Sequence, residues 1–165
     1  MSTEWRNLDP VRKDLIRRRQ DRAPVKLSAI AEELGLKLRA ATLPAGISGE
    51  IRPDPSAPSG YVVRVNRHDS PGRQRFTIAH EISHFLLHEE FIGDGITDDI
   101  LYRSEVSDWK EAQANRLAAD ILMPDDLVSA WLDRARSLEV TDITSYLAEK
   151  FEVSEGAMRI RLGLA

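Results

Sequence analysis

The residues best suited to chemistry lie within five consecutive positions, His80-Glu81-Ile82-Ser83-His84. On a helix, two residues four positions apart differ by about 40° in direction and by about 6 Å along the axis. Two imidazoles placed in this way can bind one tetrahedral metal ion, and the glutamate between them lies beside the metal's open position. The alternative is a pair of core histidines whose nitrogens bond to the backbone. The spacing favours a metal site that activates water.

The helix predicted to carry this motif is apolar around most of its circumference. Ser70 and Pro71 are a good cap and first residue for a helix that continues to about residue 89. One stripe carries aliphatic and aromatic side chains, Ile78, Ile82 and Phe85, and the nearly opposite stripe carries His80, His84 and His88. We therefore expect a buried helix whose histidines need partners for their nitrogens, and a metal ion supplies one.

His88 extends the row of histidines but is poorly placed as a ligand. Eight residues of helix rise about 12 Å, so His80 and His88 cannot reach one ion. We expect His88 to end the helix, to hold a carboxylate or to contact substrate, and a purely structural role fits equally well. A third ligand must come from elsewhere in the chain.

Glu111 is the best candidate for that third ligand. It follows His84 by 27 residues and shares a helix face with small or apolar residues and one amide: Ala114, Asn115, Ala118 and Leu122. The alanines would let its helix approach the histidine helix closely, and Asn115 could hold a ligand in place. Glu105 and Asp108 remain alternatives.

The elements that must position these residues follow an α+β order. Helices are predicted for about residues 10–20, 29–34, 70–89, 108–123, 124–136, 142–150 and 155–162, and strands for residues 36–43, 47–51 and 61–66. A turn-forming stretch rich in proline, residues 53–60, separates the last two strands. We predict a mainly helical protein with a small three-stranded antiparallel sheet.

The composition narrows the function classes. The 165 residues carry a net charge of −4 and no cysteine, which excludes a disulfide scaffold, a thiolate zinc site and a cysteine nucleophile. No apolar run exceeds three residues, so we predict no membrane span, and without a signal-like N-terminus we expect a cytoplasmic protein. The acidic total argues against general nucleic-acid binding.

Two segments together resemble the ImmA/IrrE family of metallopeptidases. One reads HEISHFLLH from His80 to His88, matching H-E-x-x-H-x-x-x-H, and the other reads EAQANRLAADILMP from Glu111 to Pro124, matching E-x-x-A-N-x-(aromatic or aliphatic)-A. The resemblance covers about residues 28–135 and implies a zincin-like fold, with His80, His84 and Glu111 as ligands of Zn²⁺ and Glu81 as the catalytic acid/base. Leu117 and Ile121 replace the commoner Phe and Leu and do not affect the chemistry.

The resemblance also implies a substrate. It points to a zinc endopeptidase that cleaves a helix-turn-helix (Xre/cI-like) transcriptional repressor, encoded nearby, to derepress stress or mobile-element genes. An acidic loop, with Glu89, Glu90, Asp94, Asp98 and Asp99, would suit such a basic partner, although such loops are commonly only solvated surface. Extended substrate would pair with an edge strand, for which we expect residues 61–66. Tyr102, Arg103 and His88 are the candidates for stabilising the developing oxyanion.

The last part of the chain predicts a helix-turn-helix-like segment. We assign residues 1–140 to the metallopeptidase domain, with N-terminal helices in 1–35 and the sheet in 36–66, and residues 141–165 to this segment packed on it. Residues 141–165 carry three basic and four acidic groups, so we do not expect direct DNA binding. The competing hypothesis is a non-catalytic, zinc-containing regulator or toxin–antitoxin component that binds a partner protein or DNA.

Overall fold

The computed structural model describes residues 1–99 and 108–164, and it confirms the α+β class. The helices are α1 (Thr3–Arg6), α2 (Pro10–Arg17), α3 (Leu27–Glu33), α4 (Pro71–His88), α5 (Asp108–Leu122), α6 (Asp125–Ser137), α7 (Ile143–Phe151) and α8 (Glu155–Arg161). The strands are β1 (Lys37–Ala41), β2 (Ile47–Pro53), β3 (Tyr61–Asn66) and β4 (Ile96–Asp99), and a 3₁₀ turn, Glu89–Phe91, follows α4. In the described part of the chain, no helix combines the length and the apolar character that crossing a membrane requires.

Helix starts follow the capping residues in the sequence. Asp9 and Ser70 each accept a hydrogen bond from the backbone N–H three residues later, and a proline follows each of them as the first helical residue. These caps set where α2 and α4 begin, and for α4 they fix the position of the histidines along the helix. The sequence predicts that Ser107 caps α5, but this residue lies outside the described residues.

The sheet differs from the prediction of three antiparallel strands, which is wrong. Four strands lie in the order β1-β3-β2-β4, with β2 antiparallel to both of its neighbours and β1 parallel to β3. The parallel pair arises because the chain reverses at β2 and again at β3, so that β3 runs in the direction of β1. The additional strand, β4, has the sequence Ile-Thr-Asp-Asp, whose acidic residues give it a low strand propensity.

The expectation that residues 61–66 form an edge strand is also wrong. β3 has the predicted bounds but pairs on both sides, with β1 and with β2. Its Val62, Val63 and Val65 are all buried, which is typical of an interior strand covered on both faces. Within the described residues, the strands that pair on one side only are β1 and β4.

Helix α4 packs against β2 and β3 of the sheet and against α5, and core residues lie at these contacts. Ile51 and Val63 from the sheet and Ile82 from α4 are fully buried there. Ala114 and Ala118 of α5 are fully buried as well, and their small side chains allow the two helices to come close together. This packing brings residues of α5 against the histidine face of α4.

Candidate metal centre

His80 and His84 lie one turn apart on α4 and direct the same ring nitrogen toward one point. Their Nε2 atoms are 3.1 Å apart, and the two rings meet edge to face with centroids 4.7 Å apart. Both side chains are buried, at 3% and 1% exposed. The i, i+4 spacing of the sequence is thus realised as two convergent imidazoles.

Glu111 completes a three-residue cluster from the neighbouring helix α5. Its Oε2 lies 2.9 Å from His80 Nε2 and its Oε1 lies 2.9 Å from His84 Nε2. One ligand atom from each of the three residues can be chosen so that all lie within 4.8 Å of one another. Of the two alternatives to Glu111, Asp108 is exposed in the first turn of α5 and Glu105 lies outside the described residues.

The electrostatics of Glu111 favour a carboxylate at this point. Burial alone would raise its pKa, but the contacts with His80 and His84 outweigh burial and lower the pKa far below its ordinary value. Glu111 is therefore ionised throughout the physiological pH range. An ionised carboxylate is one of the groups that bind zinc in proteins.

The proton positions at His80 show that this donor set fits a cation. His80 Nδ1 lies 2.8 Å from Asn115 Oδ1, and because an amide oxygen only accepts, Nδ1 carries the proton. With Nδ1 bonded to Asn115, Nε2 is the nitrogen that faces Glu111: in a protonated ring it donates to the carboxylate, and in a neutral ring it presents a lone pair that a metal ion can bind. A divalent metal can bind this nitrogen and the carboxylate together, and two nitrogens with one oxygen are a ligand set found in catalytic zinc sites that keep an open position. The contact of Asn115 with a histidine of the cluster is the one expected from its position.

Glu81, the predicted acid/base, lies next to this cluster in sequence and is completely buried on α4. Strand β2 passes close to it at Gly49, where a side chain Cβ would lie 3.7 Å from Glu81 Cγ. The absence of a side chain at Gly49 is what allows the sheet to approach α4 at this level.

His88 is the last residue of α4, which is one of the roles expected for it. Its two ring nitrogens contact another histidine and an amide and do not hold a carboxylate. Its Nδ1 lies 2.9 Å from His84 Nδ1, and its Nε2 lies 2.9 Å from Gln113 Oε1. The Trp109 ring lies edge-on to the His88 ring, with the two ring centroids 5.8 Å apart. Burial is the main reason that the pKa of His88 is lowered, so its ring is neutral at physiological pH.

Sequence reasoning did not find two residues that lie against predicted site residues, Gln113 at His88 and Gly49 at Glu81. The signal for Gln113 is its place two residues after the predicted ligand Glu111, but a contact with His88 depends on how α4 and α5 cross. The remaining candidates for oxyanion stabilisation, Tyr102 and Arg103, lie outside the described residues.

Comparison with known proteins decides the family. Residues 19–163 match the family Peptidase M78, which is described as the IrrE N-terminal-like domain. The chain belongs to this family. The assignment confirms the ImmA/IrrE resemblance seen in the two sequence segments.

Two curated relatives match about half of this chain. The radiation response metalloprotease IrrE of Deinococcus deserti is 37% identical over 87 residues, which is 47% of this chain and 27% of that protein. IrrE of Deinococcus radiodurans is 37% identical over 86 residues, 47% of this chain and 24% of that protein. The chain thus matches about a quarter of the length of these relatives.

The fold has a relative among solved structures. A Mycobacterium tuberculosis transcriptional regulator superposes with a TM-score of 0.54 at 20% identity, and the match covers 83% of this chain and 39% of that chain. At this identity the likeness concerns the fold.

Proposed function

We propose that this chain is a zinc-dependent endopeptidase domain, with His80, His84 and Glu111 as the metal ligands and Glu81 as the acid/base. The observation that carries the proposal is the convergence of two imidazole Nε2 atoms and an ionised carboxylate, each Nε2 2.9 Å from a Glu111 oxygen. Membership of the M78 family supports the same chemistry. Three protein ligands of these types would hold a zinc ion of the catalytic kind.

The residues of the chain divide the work of hydrolysis. When bound, Zn²⁺ supplies a positive charge that lowers the pKa of a water molecule toward neutrality and polarises the peptide carbonyl. Glu81 accepts the proton of the attacking water and passes it to the leaving amine nitrogen. Asn115 holds the His80 ring in the orientation and tautomer that ligation needs. The packing of β2 against α4 at Gly49 keeps bulk water away from Glu81.

The strand that extended substrate would pair with is β4. Gly49 of β2, which passes Glu81, lies opposite Asp98 of β4 in the antiparallel register. In the described residues β4 pairs with β2 alone, so its other edge offers backbone donors and acceptors. Pairing of this kind recognises the substrate backbone more than its side chains.

The substrate we propose is a helix-turn-helix repressor in the cytoplasm, encoded near this protein. The family resemblance supports this choice, and so does charge: Glu90 and Asp94 are exposed in the segment between α4 and β4 and would attract a basic DNA-binding protein. Direct DNA binding by the chain itself is not part of the proposal, because residues 141–165 carry more acidic than basic groups.

The decisive experiment is incubation of the zinc-loaded chain with the neighbouring repressor. We expect cleavage that a chelator stops, and we expect Glu81→Gln to abolish it while zinc content, measured by mass spectrometry, stays unchanged. Glu32→Gln, at an exposed position on α3, is the matched control and should retain cleavage. Turnover by Glu81→Gln would refute the role of Glu81. Binding of the repressor without cleavage would favour the non-catalytic regulator.

A further inference from the structure

A chain of hydrogen bonds leads away from the candidate metal centre on the side of His84. It runs from His84 Nδ1 to His88 Nδ1, 2.9 Å, and from His88 Nε2 to Gln113 Oε1, 2.9 Å. His80 reaches its amide partner, Asn115, directly. Among the described residues His84 reaches an amide through a second imidazole, which has no role in the proposed hydrolysis.

The chemistry of the groups fixes the direction of this chain. An amide oxygen only accepts, so His88 Nε2 carries the proton that is donated to Gln113 Oε1. A neutral imidazole has one protonated nitrogen, and the His88 Nδ1 atom is therefore an acceptor. The proton between the two histidines must then belong to His84 Nδ1. In a neutral His84 ring this leaves the lone pair on Nε2, the atom that faces Glu111.

We propose that His88 is a positioning residue for the metal centre: it accepts the Nδ1 proton of His84 and so holds the His84 Nε2 lone pair and ring plane toward a zinc ion. This inference rests on the proposed function, because it assumes that His84 is a ligand. A neutral acceptor on the far nitrogen fixes the tautomer and the orientation of a ligating histidine.

The surroundings of His88 suit this task. It is 2% exposed, so water does not compete for the proton of His84. Its position one turn after His84 on α4 fixes the separation of the two rings, and the Trp109 ring packs against it edge-on. Gln113, like Glu111, belongs to α5, so one helix supplies both a ligand and the group that orients another ligand.

The test is a zinc affinity measured by competition with a chelating dye, using the full chain and zinc alone. His88→Asn places an amide oxygen near the position of Nδ1 and keeps an acceptor for His84, whereas His88→Leu has a similar size and no acceptor. We expect His88→Leu to weaken zinc binding by about 10–100-fold and His88→Asn to recover most of that loss. Ser83→Ala removes a hydroxyl group that donates a hydrogen bond to the Ala79 carbonyl, and it should leave zinc affinity unchanged.

The outcomes separate positioning from packing. A purely structural His88 would lower the thermal stability of the metal-free chain in both variants and leave their zinc affinities equal, and this result would overturn the inference. If the Leu variant does not fold, ¹⁵N NMR of the zinc-loaded chain decides: protonation of His88 at Nε2 alone supports the inference, and protonation at Nδ1 overturns it. Absence of zinc binding by the unmodified chain would instead refute the proposed function.

Discussion

The tight contact between β2 and α4 at Gly49 makes Gly49→Ala an informative substitution. A Cβ at this position would overlap the methyl group of Thr77 on α4 and would lie 3.0 Å from the carbonyl oxygen of Arg64 on β3. Neither neighbour is the mobile end of a long side chain, because Thr77 is buried and Arg64 contributes backbone. The strand must therefore move away from α4, and Glu81 lies at the same level.

The expected cost of Gly49→Ala is that of overpacking a tight core contact, about 1–3 kcal/mol in the free energy of unfolding. For a chain of this length 2 kcal/mol corresponds to a fall in Tm of about 4–8 °C. Thr77→Ser removes the overlapping methyl group and alone should cost about 1 kcal/mol. The stability loss of the double variant should be smaller than the sum of the two single losses by about 1 kcal/mol or more, because removing the Thr77 methyl group relieves the overlap with the new Cβ.

Urea unfolding of the two single variants, the double variant and a control measures these values. The control is Gly72→Ala in the first turn of α4, where a Cβ would have no neighbour within 4 Å. Its stability should stay within about 0.5 kcal/mol of the unmodified chain. If Gly49→Ala were as stable as Gly72→Ala, or if the Gly49 and Thr77 changes were additive, the described contact between β2 and α4 would be refuted.

Two further predictions concern ion pairs that hold the helices together. Arg161 Nη1 lies 3.0 Å from Asp120 Oδ1, and the Asp120 side chain is 1% exposed. Because Arg161→Met leaves this buried charge unpaired, it should lower the free energy of unfolding in urea by about 3–5 kcal/mol. A loss below about 1 kcal/mol would contradict this pairing. The hydrogen bond from Arg116 is the main reason that the pKa of Glu4 is lowered from its ordinary value of 4.5. The contribution of this ion pair to the stability of the fold is therefore complete above about pH 4.5, and it is lost as the pH falls through the lower pKa of the folded state. Glu4→Gln should therefore flatten the acid limb of a stability–pH curve, and an unchanged limb would contradict the assignment.

The local parts of the site could be predicted from sequence because their geometry is fixed within one helix. His80 and His84 share a face at any i, i+4 spacing, and the caps at Ser70 and Pro71 place the start of α4 correctly. Glu111, 27 residues after His84, could be predicted as the third member of the cluster because alanines mark the side of its helix that approaches a neighbouring helix. The side of α5 on which Asn115 lies follows from the same periodicity.

The parts that failed depend on pairing between distant segments. Strand β4 contains two acidic residues and follows two glycines, so its sequence does not indicate a strand, and its pairing with β2 is what identifies it. The order of the strands places β3 in the interior of the sheet. This order follows from how the sheet packs on α4, and no local pattern in the sequence indicates it. The link from His88 to Gln113 depends likewise on the crossing of two helices.

The central claim is that one metal ion is held jointly by His80, His84 and Glu111. Anomalous diffraction at the zinc absorption edge from crystals of the zinc-loaded chain tests it directly. We expect one strong peak about 2.0–2.2 Å from the Nε2 atoms of both histidines and from a Glu111 oxygen. A zinc peak at other residues, or full zinc loading with no peak between these three side chains, would contradict it.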